Sequence, residues 1–289
     1  MIDDKYHESV MVSEVLAHLN KNKRLSCESR VIDATLGTGG HTLKLLEAGI
    51  KVLGIEADPE ILKIAQERLV KYDSLLVNGN FKDIGKIAKE NGFNLVDGIL
   101  FDLGVSNLQL TDGNRGFSFA NPEALLDMRI DKTVQEVTGA NLLNVLRKDQ
   151  LEDMFSKVLD GASSRWLTNN VLEKREVNPI KTVRDFLDIC SGLRGKAKLN
   201  PATLPFLALR MAVNSELENL KEALPRAYEL LNPEGKLLII TFHSGEEEIV
   251  KSFSKDFVGP IRPSDEEIGR NPRSRSAKLF VLEKNDKNT

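Results

Sequence analysis

Four short apolar runs alternate with helical stretches along the first hundred residues, an order that points to a parallel sheet flanked by helices. Residues 30–35 read RVIDAT, an apolar strand ending near an acid, followed by a glycine-rich turn and a helix-like stretch over residues 41–48. Lys51–Glu56 (KVLGIE) is the second strand. Asp58-Pro59 then offers an N-cap acid with proline at the first helical position. Ile61, Leu62, Ala65 and Leu69 follow at helical spacing. Residues 74–77 and 96–103 make the third and fourth strands.

The alternation stops near Ser106. From there to Asn200 no strong strand signal appears, and residues 142–146, 151–159, 166–172 and 183–189 read as short helices. So long a stretch is an inserted helical subdomain rather than a loop. The α/β pattern resumes over residues 213–231, where Val213, Leu217, Leu220, Leu224 and Leu231 form an apolar face. Pro225 is expected to divide that stretch into two helices. Asn232-Pro233-Glu234-Gly235 reads as a turn, residues 236–242 (KLLIITF) as a buried strand, and Lys278–Glu283 (KLFVLE) as the last strand. The expected architecture is α/β, a Rossmann-like core of mostly parallel sheet with helices on both faces. Residues 1–108 and 200–289 form the core, and residues 109–199 form a helical insertion that recognises the substrate.

Composition narrows the function. With 289 residues and 41% hydrophobic content, the chain can bury a sizeable core. A net charge of -3 argues against wholesale coating of nucleic acid but leaves room for a local basic site. The two cysteines, Cys27 and Cys190, form no disulfide framework, and the four histidines show no metal-ligand spacing, so no metal is expected. The first residues, MIDDKYHESV, are polar and acidic, and no apolar run is long enough to cross a bilayer. A cytoplasmic protein is expected.

The turn after the first strand reads Asp33-Ala34-Thr35-Leu36-Gly37-Thr38-Gly39-Gly40-His41. Glycines allow a sharp turn and a close backbone approach to a ligand. Glu56 ends the second strand 23 residues after Asp33, near the distance at which an acid accepts the hydroxyls of a nucleoside ribose. A dinucleotide fingerprint starting at Gly37 would need glycine where Thr42 stands, so phosphate binding is less well supported. Adenosylmethionine has no phosphate, and Asp33 is placed to meet its amino group. A methyltransferase is favoured, and an NAD(P)-linked enzyme is the alternative. Asp102 ends the fourth strand, at the edge where open α/β sheets bind ligands. It either caps the next turn or accepts a hydrogen from an exocyclic amine during methyl transfer.

Several blocks occur in one order: YHESVMVSEV near the start, DATLGTGGH (33–41), DGILFDLGVS (97–106), RGFSF (115–119), LDMRID (126–131), VNSEL (213–217), TFHS (241–244) and NPRSRS (271–276). Over essentially its whole length the chain resembles the RsmH/MraW family, bacterial 16S rRNA (cytosine-N4)-methyltransferases. The resemblance implies a class I methyltransferase core and S-adenosyl-L-methionine as cofactor. It also implies N4-methylation of a cytidine in the decoding region, with 16S rRNA or the small ribosomal subunit as partner, no membrane, and room for a homodimer. Cofactor contacts carried over by motif position are Gly39, Gly40, His41, Glu56, Phe81, Asp102 and Gln109, beside Asp33 and Gly37 from the turn itself. Phe81 would pack on the adenine or serve as a core aromatic. Asp102 is the candidate catalytic carboxylate.

Substrate contacts are expected from Arg115, Phe117, Arg129, Asn214, His243, Arg273 and Arg275. Phe117 or Phe119 could stack on a splayed-out cytosine, or either could be a core residue of the insertion. The basic loop holding Arg273 and Arg275 suits phosphate contact or plain solvation. Departures from the family pattern gather on the substrate side: residues 160–165 (DGASSR), Pro205-Phe206-Leu207, and Gly245-Glu246-Glu247 after the FHS motif. On the cofactor side, Glu56 stands where the family usually has aspartate, and Ser106-Asn107-Leu108-Gln109 stands where the family's block usually continues Ser-x-Gln. Two other readings are therefore open: a methyltransferase with a different acceptor (other RNA, DNA or a small molecule), and a non-catalytic RNA-binding assembly factor.

Overall fold

The computed structural model describes residues 9–20, 26–193 and 200–285. The chain forms two compact units, residues 1–105 with 217–289, and residues 106–216.

The first unit is built on a seven-stranded sheet. Its strands are β1 (Arg30–Asp33), β2 (Lys51–Glu56), β3 (Leu75–Asn78), β4 (Val96–Asp102), β5 (Leu231–Thr241), β6 (Val258–Ile261) and β7 (Lys278–Glu283), in the order β3-β2-β1-β4-β5-β7-β6. The first five run parallel to one another, and β7 runs antiparallel to β5 and β6. This is the Rossmann-like arrangement expected. Successive residues of a strand face opposite sides. Thus Ile32, Ile99, Phe101 and Ile239 pack in one hydrophobic layer, while Val31, Leu100, Leu238 and Ile240 pack in the other. Both faces are covered, which is why these strands read as continuous apolar runs.

Helix α1 (Val12–Leu19) precedes the sheet; α2 (Gly40–Glu47), α3 (Pro59–Leu69) and α4 (Ile84–Glu90) follow β1, β2 and β3. Asp58 caps α3 by accepting from the N–H groups of Glu60 and Ile61. The short strand β6 escapes the sequence reading because Gly259-Pro260 interrupts it. Proline is tolerated there because β6 lies at the sheet edge.

The second unit is helical: α5 (Asn107–Thr111), α6 (Gly139–Val145), α7 (Lys148–Ser156), α8 (Gly161–Val177), α9 (Val183–Cys190) and α10 (Thr203–Asn214). Phe186 stacks between Phe155 and Phe206, with centroids 6.3 and 5.1 Å away, and Phe119 meets Phe206 edge-on. Through Phe206 and its packing on α6 and α7, α10 belongs to this unit. The unit therefore runs to residue 216, beyond the boundary at 199 read from the sequence.

Pro225 does not divide its segment. Helix α11 (Glu216–Leu230) runs straight through it, with Leu220, Ala223, Leu224, Ala227 and Leu230 buried on both sides of the proline. Burial of that face outweighs the lost N–H bond, a penalty of about 3 kcal/mol in an unsupported helix. The chain breaks instead at Ser215, which adopts left-handed φ of 49° between α10 and α11. Among the described residues no helix is long and apolar enough to cross a membrane.

Candidate functional site

Parallel register brings the carboxyl ends of β1, β2, β4 and β5 to one edge of the first unit. Three of these strands end in an acid, Asp33, Glu56 and Asp102.

Asp33 is 1% exposed. Its Oδ2 accepts from the Thr42 hydroxyl at 2.7 Å and its Oδ1 from the Thr35 N–H at 3.3 Å. Burial raises its pKa, against the nearby His41 and these two hydrogen bonds. The residue whose side chain breaks the dinucleotide fingerprint, Thr42, is therefore what steadies the first carboxylate.

Glu56 holds the glycine turn. The Gly37 N–H donates to Oε2 and the Asp58 N–H to Oε1, both at 2.8 Å. Burial pushes its pKa up to about 7 in spite of those two donors, with Asp58 and Asp33 adding repulsion. The glycines have different physical reasons. Gly37 and Gly39 adopt φ of +54° and +80°, conformations that side-chain-bearing residues rarely take. A Cβ on Gly39 would also come within 2.8 Å of Leu69 Cδ1, and one on Gly40 within 2.0 Å of the Ser9 hydroxyl. Gly40 thus makes room for the chain's own Ser9.

Asp102 closes the group. Its N–H donates to the Thr35 hydroxyl at 2.6 Å, and its Oδ2 lies 3.6 Å from His41 Nδ1. Its other oxygen, Oδ1, is buried with no hydrogen-bond partner. Burial pushes the pKa of Asp102 up to about 6; His41 pulls it down, while Asp33 and Glu246 push it further up. The imidazole of His41 is itself buried, with Nε2 2.9 Å from the Val10 carbonyl oxygen. Phe81 opens a 3-10 turn after β3 and meets Phe101 edge-on at 5.6 Å. It stays partly exposed at the margin of the core.

After β5, His243 caps helix α12 (Ser244–Phe253). Its Nε2 lies 3.1 Å from Glu246 Oε1, and its Nδ1 is buried without a hydrogen-bond partner. Glu246 Oε2 accepts from the N–H groups of Phe242 and His243. Sequence reading passed over Glu246, although an acid three residues after a helix cap is the recognised capping-box spacing. Nothing in the sequence marks Thr35 and Thr42 as serving this edge: the folded turn brings Thr42 onto Asp33, and the pairing of β1 with β4 brings the Thr35 hydroxyl to the Asp102 N–H.

In the second unit the motif residues are tied to one another. Gln109 is buried, and its Oε1 accepts from the Ser106 N–H in a capping box that starts α5. Arg115, 3% exposed, donates to the carbonyls of Arg129 and Ile130 at 3.0 and 2.8 Å. Arg129 forms a bidentate pair with Asp127 and also donates to the Gln135 carbonyl. Asn214 accepts from the Ile130 N–H and donates to the carbonyls of Met128 and Arg210. Phe117 is buried. These side chains fasten the segment around Met128, which takes left-handed φ of 63°. Arg273 and Arg275, in the first unit, are exposed on a 3-10 turn (Pro272–Ser276) anchored by the buried Ser274 between them.

Residues 4–259 match the family model described as the MraW methylase family. The ribosomal RNA small subunit methyltransferase H of Methylacidiphilum infernorum is 41% identical, over 95% of this chain and 93% of its own length. Its namesake in a Hydrogenobaculum species is 40% identical over 94% of each chain. The one in Dictyoglomus thermophilum is 37% identical over 98% of each.

Proposed function

The chain belongs to the MraW methylase family, and on that premise we propose that it methylates the N4 amine of one cytidine in the decoding region of 16S rRNA, in the cytoplasm. It is an S-adenosylmethionine-dependent methyltransferase of the small-subunit rRNA class. Bound adenosylmethionine supplies a methyl carbon on a positively charged sulfur. The residues present fit it. A carboxylate offers about four lone-pair sites, so Glu56, which receives two N–H bonds, retains acceptors for ribose hydroxyls. Asp33, buried at the end of β1, orders the glycine turn through Thr35 and Thr42, and the partly exposed Phe81 offers an aromatic surface for a base.

The observation that carries the reading is the unpaired, buried Oδ1 of Asp102 at this edge. An unmet acceptor in low dielectric costs about 1–3 kcal/mol, and a substrate amine donating to it would relieve that cost. Accepting a hydrogen from the amine frees the nitrogen lone pair for attack and places the nucleophile. Exposed Arg273 and Arg275 suit phosphate contact. Arg115, Arg129, Asn214 and Phe117 support the helical unit as a scaffold for substrate recognition, holding its backbone rather than offering free side chains.

The test is transfer of labelled methyl from adenosylmethionine to small subunits lacking the modification, with the product nucleoside identified by mass spectrometry. N4-methylcytidine at a single position is the expected product. A different acceptor has one observation in its favour, the replaced segments at residues 160–165 and 205–207. Label appearing in another nucleoside or another molecule would establish it.

A further inference from the structure

The family resemblance makes His41 a cofactor contact by motif position; its ring is 5% exposed and both nitrogens face the protein. Nε2 lies 2.9 Å from the Val10 carbonyl oxygen, and a carbonyl oxygen only accepts, so Nε2 carries a hydrogen. In a neutral ring that leaves Nδ1 with a lone pair, 3.6 Å from the Asp102 Oδ2. Two lone pairs facing each other in a buried site repel, and one proton between them turns the repulsion into attraction.

The ring is clamped in this orientation. Met11, in left-handed conformation with φ of 55°, donates its N–H to the buried Glu267 carboxylate at 2.7 Å, which fixes the neighbouring Val10 carbonyl. Ser9 fills the space that a side chain at position 40 would take. The charged groups around the pair are acids: Asp33 acts on both His41 and Asp102, and Glu246, with His243 beside it, acts on Asp102. Surplus positive charge is therefore tolerated here.

We propose that His41 and Asp102 form a single proton-holding unit, in which His41 is a positioning residue that lets Asp102 take up the proton lost by the methylated amine. The inference rests on the methyltransferase reading above. Before transfer the pair holds one proton, on Nδ1 or on Oδ2, which face each other at the 3.6 Å of an ion pair. As the amine nitrogen gains a methyl group, one N–H bond breaks with its electrons left on nitrogen, and an O–H bond forms at Asp102 Oδ1. The shared proton then resides on His41 Nδ1. The pair passes from neutral to a single positive charge and returns by releasing one proton to water.

The experiment uses the full-length protein with 15N-labelled histidine, without RNA, followed by NMR from pH 5 to 9. The His41→Gln variant identifies the ring signal. At pH 7 the wild-type Nδ1 signal is expected to be protonated or exchange-averaged, and in Asp102→Asn to move to the position of an unprotonated nitrogen. Equal Nδ1 signals in the two proteins would overturn the proposal even if rRNA methylation is fully confirmed. Conversely, the expected shift would stand if the acceptor proves to be another molecule. In His41→Gln the single-turnover rate at pH 7 is expected to fall about tenfold or more, with much of it recovered at higher pH and cofactor affinity unchanged. A loss equal at every pH, or a loss of cofactor affinity instead, would make the ring a structural or cofactor-binding group and end the proposal.

Discussion

At the carboxyl edge of the sheet, Asp102 keeps one buried carboxylate oxygen unpaired and His243 keeps a ring nitrogen unpaired. In the helical unit, Arg115, Arg129 and Asn214 spend their side chains on carbonyl and N–H groups of residues 128–135. Both sets come from motif blocks, and from sequence both look like site residues. The difference is energetic. Unmet polar atoms in a folded core are a cost that binding can recover, whereas polar atoms tied to backbone are already part of the fold. Motif membership alone therefore does not separate a residue that meets substrate from one that shapes the surface substrate meets.

The comparison is broken most forcefully in the helical unit. Arg115→Ala strips donors from two carbonyls, and Asn214→Ala strips partners from the Ile130 N–H and the Met128 carbonyl. Each is expected to cost about 2–4 kcal/mol of stability, read as a lower denaturation midpoint, with cofactor affinity unchanged at temperatures where the variant is folded. A stable variant with weakened RNA binding would instead make the side chain a direct contact.

The next effect is a pH dependence in the first unit. Asp102 is held at about 6, above its ordinary value of 3.8, so between these values the folded protein keeps a proton that the unfolded chain has lost. Stability is fully present below that window and falls as pH rises through about 6. With a side chain 23% exposed, its share is about 1–2 kcal/mol. Glu56, held at about 7, extends the fall to higher pH. Denaturant titrations at several pH values should show the fall near pH 6 shrink in Asp102→Asn, while the part due to Glu56 remains.

The smallest effect belongs to the exposed arginines. Replacing Arg273 and Arg275 by alanine should leave stability within about 0.5 kcal/mol. RNA affinity should weaken and its logarithmic salt dependence should drop by roughly 1–2. An unchanged salt slope would return this turn to plain solvation.

Much of the core was legible because its signals are local. The runs at β2 and β7 match their strands to the residue, and the Asp58-Pro59 cap marks the start of α3. What escaped depends on contacts distant in sequence. Strand β6 pairs only because β7 lies beside it, and α10 joins the helical unit through Phe206 stacking on Phe186. Pro225 misled for the same reason, since burial of the face around it overrides a local breaker. In the candidate site, the acids at the ends of β1, β2 and β4 could be named from strand endings alone. The groups around them were harder to name: Thr42 reaches Asp33 only once the glycine turn folds α2 back on β1, the Thr35 hydroxyl meets the Asp102 N–H only because β1 and β4 pair, and Glu246 acts on Asp102 from the helix after β5.

The most direct test of the contrast is the single-turnover methyl-transfer rate, at saturating cofactor and small subunits, of Asp102→Asn beside Asn214→Ala at a temperature where both are folded. The account predicts a loss of about 100-fold or more in Asp102→Asn and a near wild-type rate in Asn214→Ala. A near wild-type rate in Asp102→Asn, with the large loss in Asn214→Ala, would contradict it.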